Sequence, residues 1–288
     1  MESVLVLIAA PGSGAINANI TEMLRDFGAG MPRWLETSEA LEVADFAARP
    51  QFTEAIAALP VDANVVPAEN RRKRLLIADM DSTMIEQECI DELGVMAGIG
   101  EHIKAITARA MRGELDFEGA LTERVKLLKG LPASIIDQIL RERISFMAGG
   151  RALIATMKAH GAYTALVSGG FTPFTAKVAA ALGFDENQAN ELITADGVLT
   201  GEVGRPILGQ QAKLEALQRI SARLGIATGD ALAVGDGAND LAMLGAAGMG
   251  VALHAKPQVQ AQARYRVNHG DLTALLYLQG YRKAEFVR

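Results

Sequence analysis

Asp79 and Asp81 stand two residues apart in Asp79-Met80-Asp81-Ser82-Thr83, directly after the apolar run Leu75-Leu76-Ile77-Ala78. An unbroken apolar run is the signature of a strand buried on both faces in a parallel sheet. Both carboxylates therefore sit where the chain leaves that sheet. One can attack phosphorus to form an acyl phosphate, while the other protonates the leaving alcohol and later activates water. An acidic turn with Asp and Ser as helix caps would be spelled the same way. Ser168-Gly169-Gly170 follows a second apolar run, 163–167, and offers a hydroxyl and glycine-freed N–H groups that can cradle phosphate at a helix start. Lys213 lies near the start of a helical stretch, 212–224, from which an ammonium can neutralise both the phosphate and the attacking carboxylate. Gly235-Asp236-Gly237-Ala238-Asn239-Asp240 follows a third run, 231–234, with Asp236 at the strand end and Asp240 one helical turn on. Oxygen-only ligands of this kind suit Mg²⁺. Taken singly, these groups are also an ordinary turn, a surface lysine and a helix cap.

What must position them is a sheet whose strands all end on one side. The runs near 75–78, 163–167, 231–234 and 250–253 alternate with helical patterns, so residues 71–288 are expected to form a doubly wound, Rossmann-like α/β domain with a mostly parallel sheet. Between the first two runs lie about 80 residues of almost purely helical pattern. That is too long for one crossover, and an inserted helical cap over about 86–148 is expected. Residues 1–70 follow a βαββαβ order: a strand at 4–9, a helix through Ile16, Ile20, Leu24 and Phe27, strands at 33–36 and 40–44, a helix at 52–59 and a strand at 63–66. This order looks like the small α+β ACT fold, as a ligand-binding unit or as a packing or dimerisation unit; a homodimer through it is one expectation. Arg71-Arg72-Lys73-Arg74 is expected to be a solvated linker between the two parts.

Composition narrows the function classes. With 28 Lys and Arg against 34 Asp and Glu, the net charge is −6, unsuited to a general nucleic-acid binder. The single cysteine, Cys89, cannot form an internal disulfide, which favours a reducing, cytoplasmic setting. No basic region precedes the first apolar run and no run reaches about 18 apolar residues, so neither secretion nor membrane spanning is expected. His102, His160, His254 and His269 lack metal-ligand spacing. Cys89, beside Glu88, is disfavoured as a thiolate and is expected to pack.

Within the expected cap, Phe117, Leu121, Val125 and Leu128 share a helical face, and Arg124 lies about 20° around the helix from Phe117. Arg suits bidentate recognition of a carboxylate, and Glu88 offers a counter-charge for an ammonium. Together they describe an amino-acid substrate.

In order and placement, Asp79–Thr83, Ser168, Lys213 and Asp236–Asp240 resemble the four motifs of the haloacid dehalogenase superfamily of phosphohydrolases. From about residue 75 onward, the stretches Ile106-Thr107-Ala108-Arg109-Ala110-Met111, Phe117, Arg124-Val125 and Ser168-Gly169-Gly170-Phe171 resemble its phosphoserine-hydrolysing branch. The resemblance implies Asp79 as nucleophile and Asp81 as acid/base. It implies Mg²⁺ held by Asp79, the Asp81 backbone carbonyl and Asp236, with Asp240 orienting a bound water or a neighbouring ligand. It further implies Glu88 on the amine and Arg124 on the carboxylate of O-phosphoserine, Met111 and Phe117 shaping the pocket, and Ser168, Gly169, Gly170, Lys213 and Asn239 contacting substrate or phosphate. One departure is Met147-Ala148-Gly149-Gly150, which lacks the proline usual before the first glycine and leaves the cap hinge open. Other outcomes compatible with these residues are hydrolysis of another small ester, transfer of the phosphoryl group to an alcohol, or an amino-acid sensor.

Overall fold

The computed structural model describes residues 2–46 and 49–287, the Met111 side chain excepted. The chain begins with β1 (Ser3–Ala9), α1 (Ala18–Asp26), β2 (Arg33–Glu36), β3 (Ala40–Ala44), α2 (Pro50–Ala57) and β4 (Val61–Pro67). These strands form one antiparallel sheet in the order β2-β3-β1-β4. Asn17 caps α1 by accepting from the Asn19 N–H, and proline opens α2, where its missing N–H costs nothing.

The second part opens with β5 (Leu75–Ala78) and four successive helices, α3 (Cys89–Met96), α4 (Gly100–Met111), α5 (Phe117–Lys126) and α6 (Ile135–Glu142). It continues through α7 (Gly150–Ala159), β6 (Tyr163–Phe171), α8 (Thr172–Leu182), β7 (Glu186–Asn190) and the hairpin β8 (Leu192–Ala195) and β9 (Val198–Val203). The remainder is α9 (Gln210–Leu224), β10 (Ala231–Gly235), α10 (Leu241–Ala246), β11 (Met249–Leu253), α11 (Pro257–Gln260), β12 (Tyr265–Val267) and α12 (Ala274–Leu278). A six-stranded parallel sheet runs β12-β11-β10-β5-β6-β7. The chain moves one way from β5 to β7 and the other way from β10 to β12, so the order reverses between β5 and β10. In open α/β sheets, that reversal leaves a crevice beyond the carboxyl ends of the strands. Asp79 follows β5 and Asp236 follows β10, one on each side of it.

Four strands were not expected from sequence: β7, the paired β8 and β9, and β12. β7, Glu186-Asn187-Gln188-Ala189-Asn190, is a polar edge strand with no apolar run to announce it. The hairpin β8–β9 turns at Asp196-Gly197, both at positive φ, a standard tight-turn dipeptide. Its tip holds the loop between α5 and α6 by backbone bonds from Gly130 to Leu199, Leu199 to Leu131 and Ala133 to Gly197, each 2.8 Å. At the other end of the helical insert its two linkers pair, with Glu86 N–H donating to Ser145 O and Met147 N–H to Met84 O, both at 3.0 Å. Gly149, at φ 79°, then caps α7.

The N-terminal sheet is covered on both faces. Leu5, Leu7 and Ala9 pack under α1 and α2, while Val4, Val6 and Ile8 join the core of the second part. The basic stretch 71–74 is only in part the expected solvated linker: Arg72 and Arg74 are exposed, but Arg71 and Lys73 turn inward. Arg71 pairs with Glu42 and donates to the carbonyls of Leu278 and Tyr277, and Lys73 is buried with its ammonium 2.8 Å from Gly229 O. The segment crosses between two packed sheets, where its cations satisfy carbonyls that would otherwise be stranded. Buried Asp62 on β4 accepts three backbone N–H bonds, from Asn268, His269 and Gly270, at 2.7–2.9 Å. Asp62→Ala orphans those donors, and thermal melting is expected to show Tm lowered by roughly 3–10 °C. An unchanged Tm would mean that this junction adds no stability.

Candidate active site

β5 is flanked by β10 and β6, which brings the ends of three strands together. Asp79 is 5% exposed, and its N–H donates to Val234 O, extending the pairing one residue past the strand. Its Oδ1 meets the Lys213 ammonium at 2.6 Å and accepts from the Met80 N–H at 2.8 Å. Lys213, on the first turn of α9 and 1% exposed, also meets Asp240 Oδ1 at 2.6 Å. The other oxygen of Asp240 accepts from the Gly237 N–H at 3.0 Å. Gly235 must be glycine for this arrangement, since a Cβ there would lie 2.3 Å from the Asp240 carboxyl carbon.

Asp81 faces a different set of partners. One oxygen accepts from the Cys89 N–H at 2.8 Å, at the start of α3, and the other from Ser168 Oγ at 3.3 Å. The Ser168 hydroxyl in turn accepts from the Gly170 N–H at 2.8 Å. Ser168 is not in a turn at a helix start: β6 continues, with a register shift, through Gly169 and Gly170 to Phe171. Cys89 is buried, and burial followed by the charge of Asp81 pushes its thiol well above the usual range.

The electrostatics follow from crowding. Carboxylate oxygens of Asp79, Asp236 and Asp240 lie within 4.8 Å of one another, all in buried residues. Burial by itself would lower the Lys213 ammonium, but Asp79 and Asp240 outweigh that and hold it above its ordinary value. Burial, then Asp240, pushes Asp79 well up and Asp236 to about 6. Burial, then the charge of Glu88, raises Asp81 to about 6. Two carboxylates share one ammonium with a third close by, and a hard divalent cation is the group that this oxygen donor set fits. The Asp81 side chain, turned to Cys89 and Ser168, is outside the trio.

Above these residues is a cavity of about 770 Å³ whose far wall is the helical insert. Asp79, Asp81, Ser168, Gly169, Gly170, Asp236 and Asn239 line it from the sheet side, and Glu88, Phe117 and Arg124 from the insert. Glu88 accepts from Ser82 Oγ at 2.8 Å. Arg124 Nε donates to Ala120 O at 3.2 Å, leaving the rest of its fork to the cavity. Burial lowers Arg124, against the pull of Asp91, Glu88 and Asp81. The Phe117 ring rests on Gly169 and Gly209, where added Cβ atoms would lie 3.1 and 3.2 Å from it. The Met111 side chain is outside the described residues.

Two sequence-selected residues, Lys213 and Asp240, are behind Asp79 rather than on the cavity wall. Asp91, Lys256 and Gln258 line the cavity and were not selected. Lys256 follows β11 by three residues, so the strand-end rule that found Asp79, Ser168 and Asp236 would have found it. Asp91 is one helical turn from Glu88 and is raised by burial, then by Glu88.

The family model for haloacid dehalogenase-like hydrolases matches residues 76–245. A phosphoserine phosphatase of Haemophilus influenzae is 50% identical over 204 residues, which are 71% of this chain and 65% of the relative. One of Streptomyces coelicolor is 40% identical over 289 residues, covering 96% of this chain and 69% of the relative. The chain thus spans about two thirds of the length of these curated relatives. The crystal structure of a probable phosphoserine phosphatase from Vibrio cholerae, unliganded form, is similar with a TM-score of 0.82 at 32% identity, covering 98% of this chain and 88% of that one.

Asp81 and Asp236, near 6 when folded against an ordinary 3.8, hold protons more tightly in the folded chain than in the unfolded one. Their contribution to stability therefore falls as pH rises from about 4 to about 6. A divalent cation favours the ionised forms and reverses this, so Mg²⁺ should raise Tm more at about pH 7 than at about pH 5. Equal shifts at both would show that the ion is held elsewhere.

Proposed function

The chain belongs to the haloacid dehalogenase-like hydrolases, and from that membership we propose that it is a phosphoserine phosphatase, hydrolysing O-phospho-L-serine to L-serine and phosphate. The observation that carries the substrate is one cavity holding two kinds of group: Asp79 and Asp81 beside Ser168 on the sheet side, and Arg124 with Glu88 on the insert side. The first set suits a phosphoryl group, the second a carboxylate and an ammonium.

Asp79 attacks phosphorus through its oxygen not bonded to Lys213, giving an aspartyl phosphate, and Asp81 delivers its proton to the departing serine oxygen. Asp81, now ionised, takes a proton from water, which attacks phosphorus and releases phosphate with Asp79 restored. A carboxyl raised to about 6 is close enough to neutral pH to serve in both directions. Lys213 keeps Asp79 oriented and limits its charge. The Ser168 hydroxyl, held by the Gly170 N–H, would meet the phosphoryl oxygens together with the Gly169 N–H and Asn239, which line the same cavity. Asp79, Asp236 and the Asp81 carbonyl, with Asp240 behind them, would hold Mg²⁺, which when bound neutralises the acidic trio and draws charge from the phosphoryl oxygens. Phe117 shapes the pocket and excludes water along the seam between insert and sheet.

In this reading the reaction is the last step of L-serine biosynthesis, in the cytoplasm, with residues of about 86–148 as the cap. Residues 1–70 are an ACT-like domain, a reading supported by their antiparallel βαββαβ sheet. Its open edge is β2, with Trp34 and neighbouring Met31 exposed, where a second copy would pair to form a homodimer.

The decisive assay is phosphate release from O-phospho-L-serine beside O-phosphothreonine and p-nitrophenyl phosphate, with and without Mg²⁺. Asp79→Asn is expected to abolish turnover and Asp81→Asn to cost on the order of 10²–10⁴-fold. Arg124→Ala should erase the preference for phosphoserine while sparing the generic ester. Preference for the generic ester in the unaltered protein would end the substrate assignment.

A further inference from the structure

Lys213, assigned from sequence to the phosphate, is sealed behind Asp79 with its ammonium committed to two carboxylates. Among the described residues, the cations lining the cavity are Arg124 and Lys256. They enter from opposite sides: Arg124 from α5, near Glu88 and Asp91, and Lys256 from the loop after β11, beside Asp236 and Gly237. A phosphorylated amino acid presents two anionic groups. The planar fork of arginine matches the carboxylate, and an ammonium binds phosphate as a point charge. We propose that Lys256 contacts the phosphoryl group from the open side of the site, as a binding and charge-stabilising residue of the phosphatase reading above.

The backbone of Lys256 is held in place while its side chain is left uncommitted. Its N–H donates to Asp236 O at 3.3 Å, which ties it to the end of β10. Two residues earlier, His254 adopts φ 44°, a conformation uncommon outside glycine. Its N–H bonds Val267 O and its ring nitrogen Gly270 O, both at 2.8 Å. Ala255 O accepts from Gln260 Nε2 at 2.7 Å, and Pro257 opens α11. The loop is thus fixed before and after Lys256. The side chain is exposed and pairs with no carboxylate among the described residues. Its charge works against the upward shift of Asp236, as expected for an ammonium near the strand end. Phosphate arriving at Asp79 would have Asp236 and its cation on one side, the Ser168 cradle on the other and Lys256 at the mouth.

The test compares Lys256→Ala and Lys256→Arg in the full chain with Mg²⁺. It measures KM and kcat for O-phospho-L-serine and p-nitrophenyl phosphate, and inhibition by inorganic phosphate and by L-serine. Lys256→Ala is expected to raise both KM values and the phosphate inhibition constant by roughly ten- to a hundredfold, the scale of one charge-assisted hydrogen bond. L-serine inhibition should be unchanged, and Lys256→Arg should restore most of the loss. An unchanged phosphate constant in Lys256→Ala overturns the proposal. So does an equal rise for phosphate and serine, which would mark a disordered loop rather than a lost contact. If the unaltered chain cleaves the generic ester but not phosphoserine, the substrate reading fails, and the phosphate constant still decides Lys256.

Discussion

The ammonium of Lys213, between Asp79 and Asp240, is the interaction on which the rest of the site depends. A buried ion pair is expensive, and an apolar replacement of similar volume is often at least as stable. Here two carboxylates share one cation with a third close by, so the cluster is worse than neutral as a stabilising device. Its value lies in what it prevents. The ammonium works against the upward push that burial and Asp240 give Asp79, and it offsets only part of that push. With a full counter-charge, the trio would have no use for a divalent ion. One cation for three carboxylates leaves the site short of positive charge in amounts that a hard metal and a phosphoryl group settle between them.

That arrangement needs a particular sheet. Asp79 and Asp236 come together because β5 and β10 are neighbours although about 150 residues separate them in sequence. The helical insert closes the far side, and it is not hung from its linkers alone. The hairpin β8–β9 grips the α5–α6 loop through three backbone bonds, to which the exposed pair of Lys177 on α8 with Asp137 on α6 adds little. The end of the insert that carries Phe117 is held by contacts of another kind, a ring lying on two glycines and one exposed ion pair, Glu118 with Arg205. Exposed pairs contribute little. The insert is therefore fixed firmly at the α5–α6 loop and weakly at the start of α5, above the reacting groups, where substrate has to enter.

The chemistry was legible in sequence where it sits at the ends of apolar strands. Asp79, Asp81, Ser168 and Asp236 follow runs that can only be buried, and the parallel sheet turns that local pattern into proximity. The same pattern failed where a strand carries no apolar run: β7 is polar because it is an edge. It also failed for charge. Arg71 and Lys73 spell a solvated linker, yet one is half-buried and the other buried because the segment crosses between two sheets, a fact that no window of sequence contains. Lys213 was found by its place near the start of a helix, but sequence cannot say that Asp240 would share it and turn it away from the cavity.

The first 70 residues belong to the same physical object. β1 is buried on both faces, with alternate side chains contributing to two different cores. A strand so placed cannot be lifted off without exposing apolar surface on the partner it leaves, so this part is not an appendage on a tether. Its outer strand β4 fixes the segment 266–270 through Asp62 and Asn64, and Gly270 O in turn accepts the ring of His254, two residues before Lys256. Rigid contacts thus run from the N-terminal sheet to the wall of the cavity. Contiguity alone is not coupling, because a signal needs an element with two states. Every link in this route is a short bond to backbone, which argues for a brace rather than a switch. On this geometry the N-terminal sheet helps fix where the loop after β11 stands.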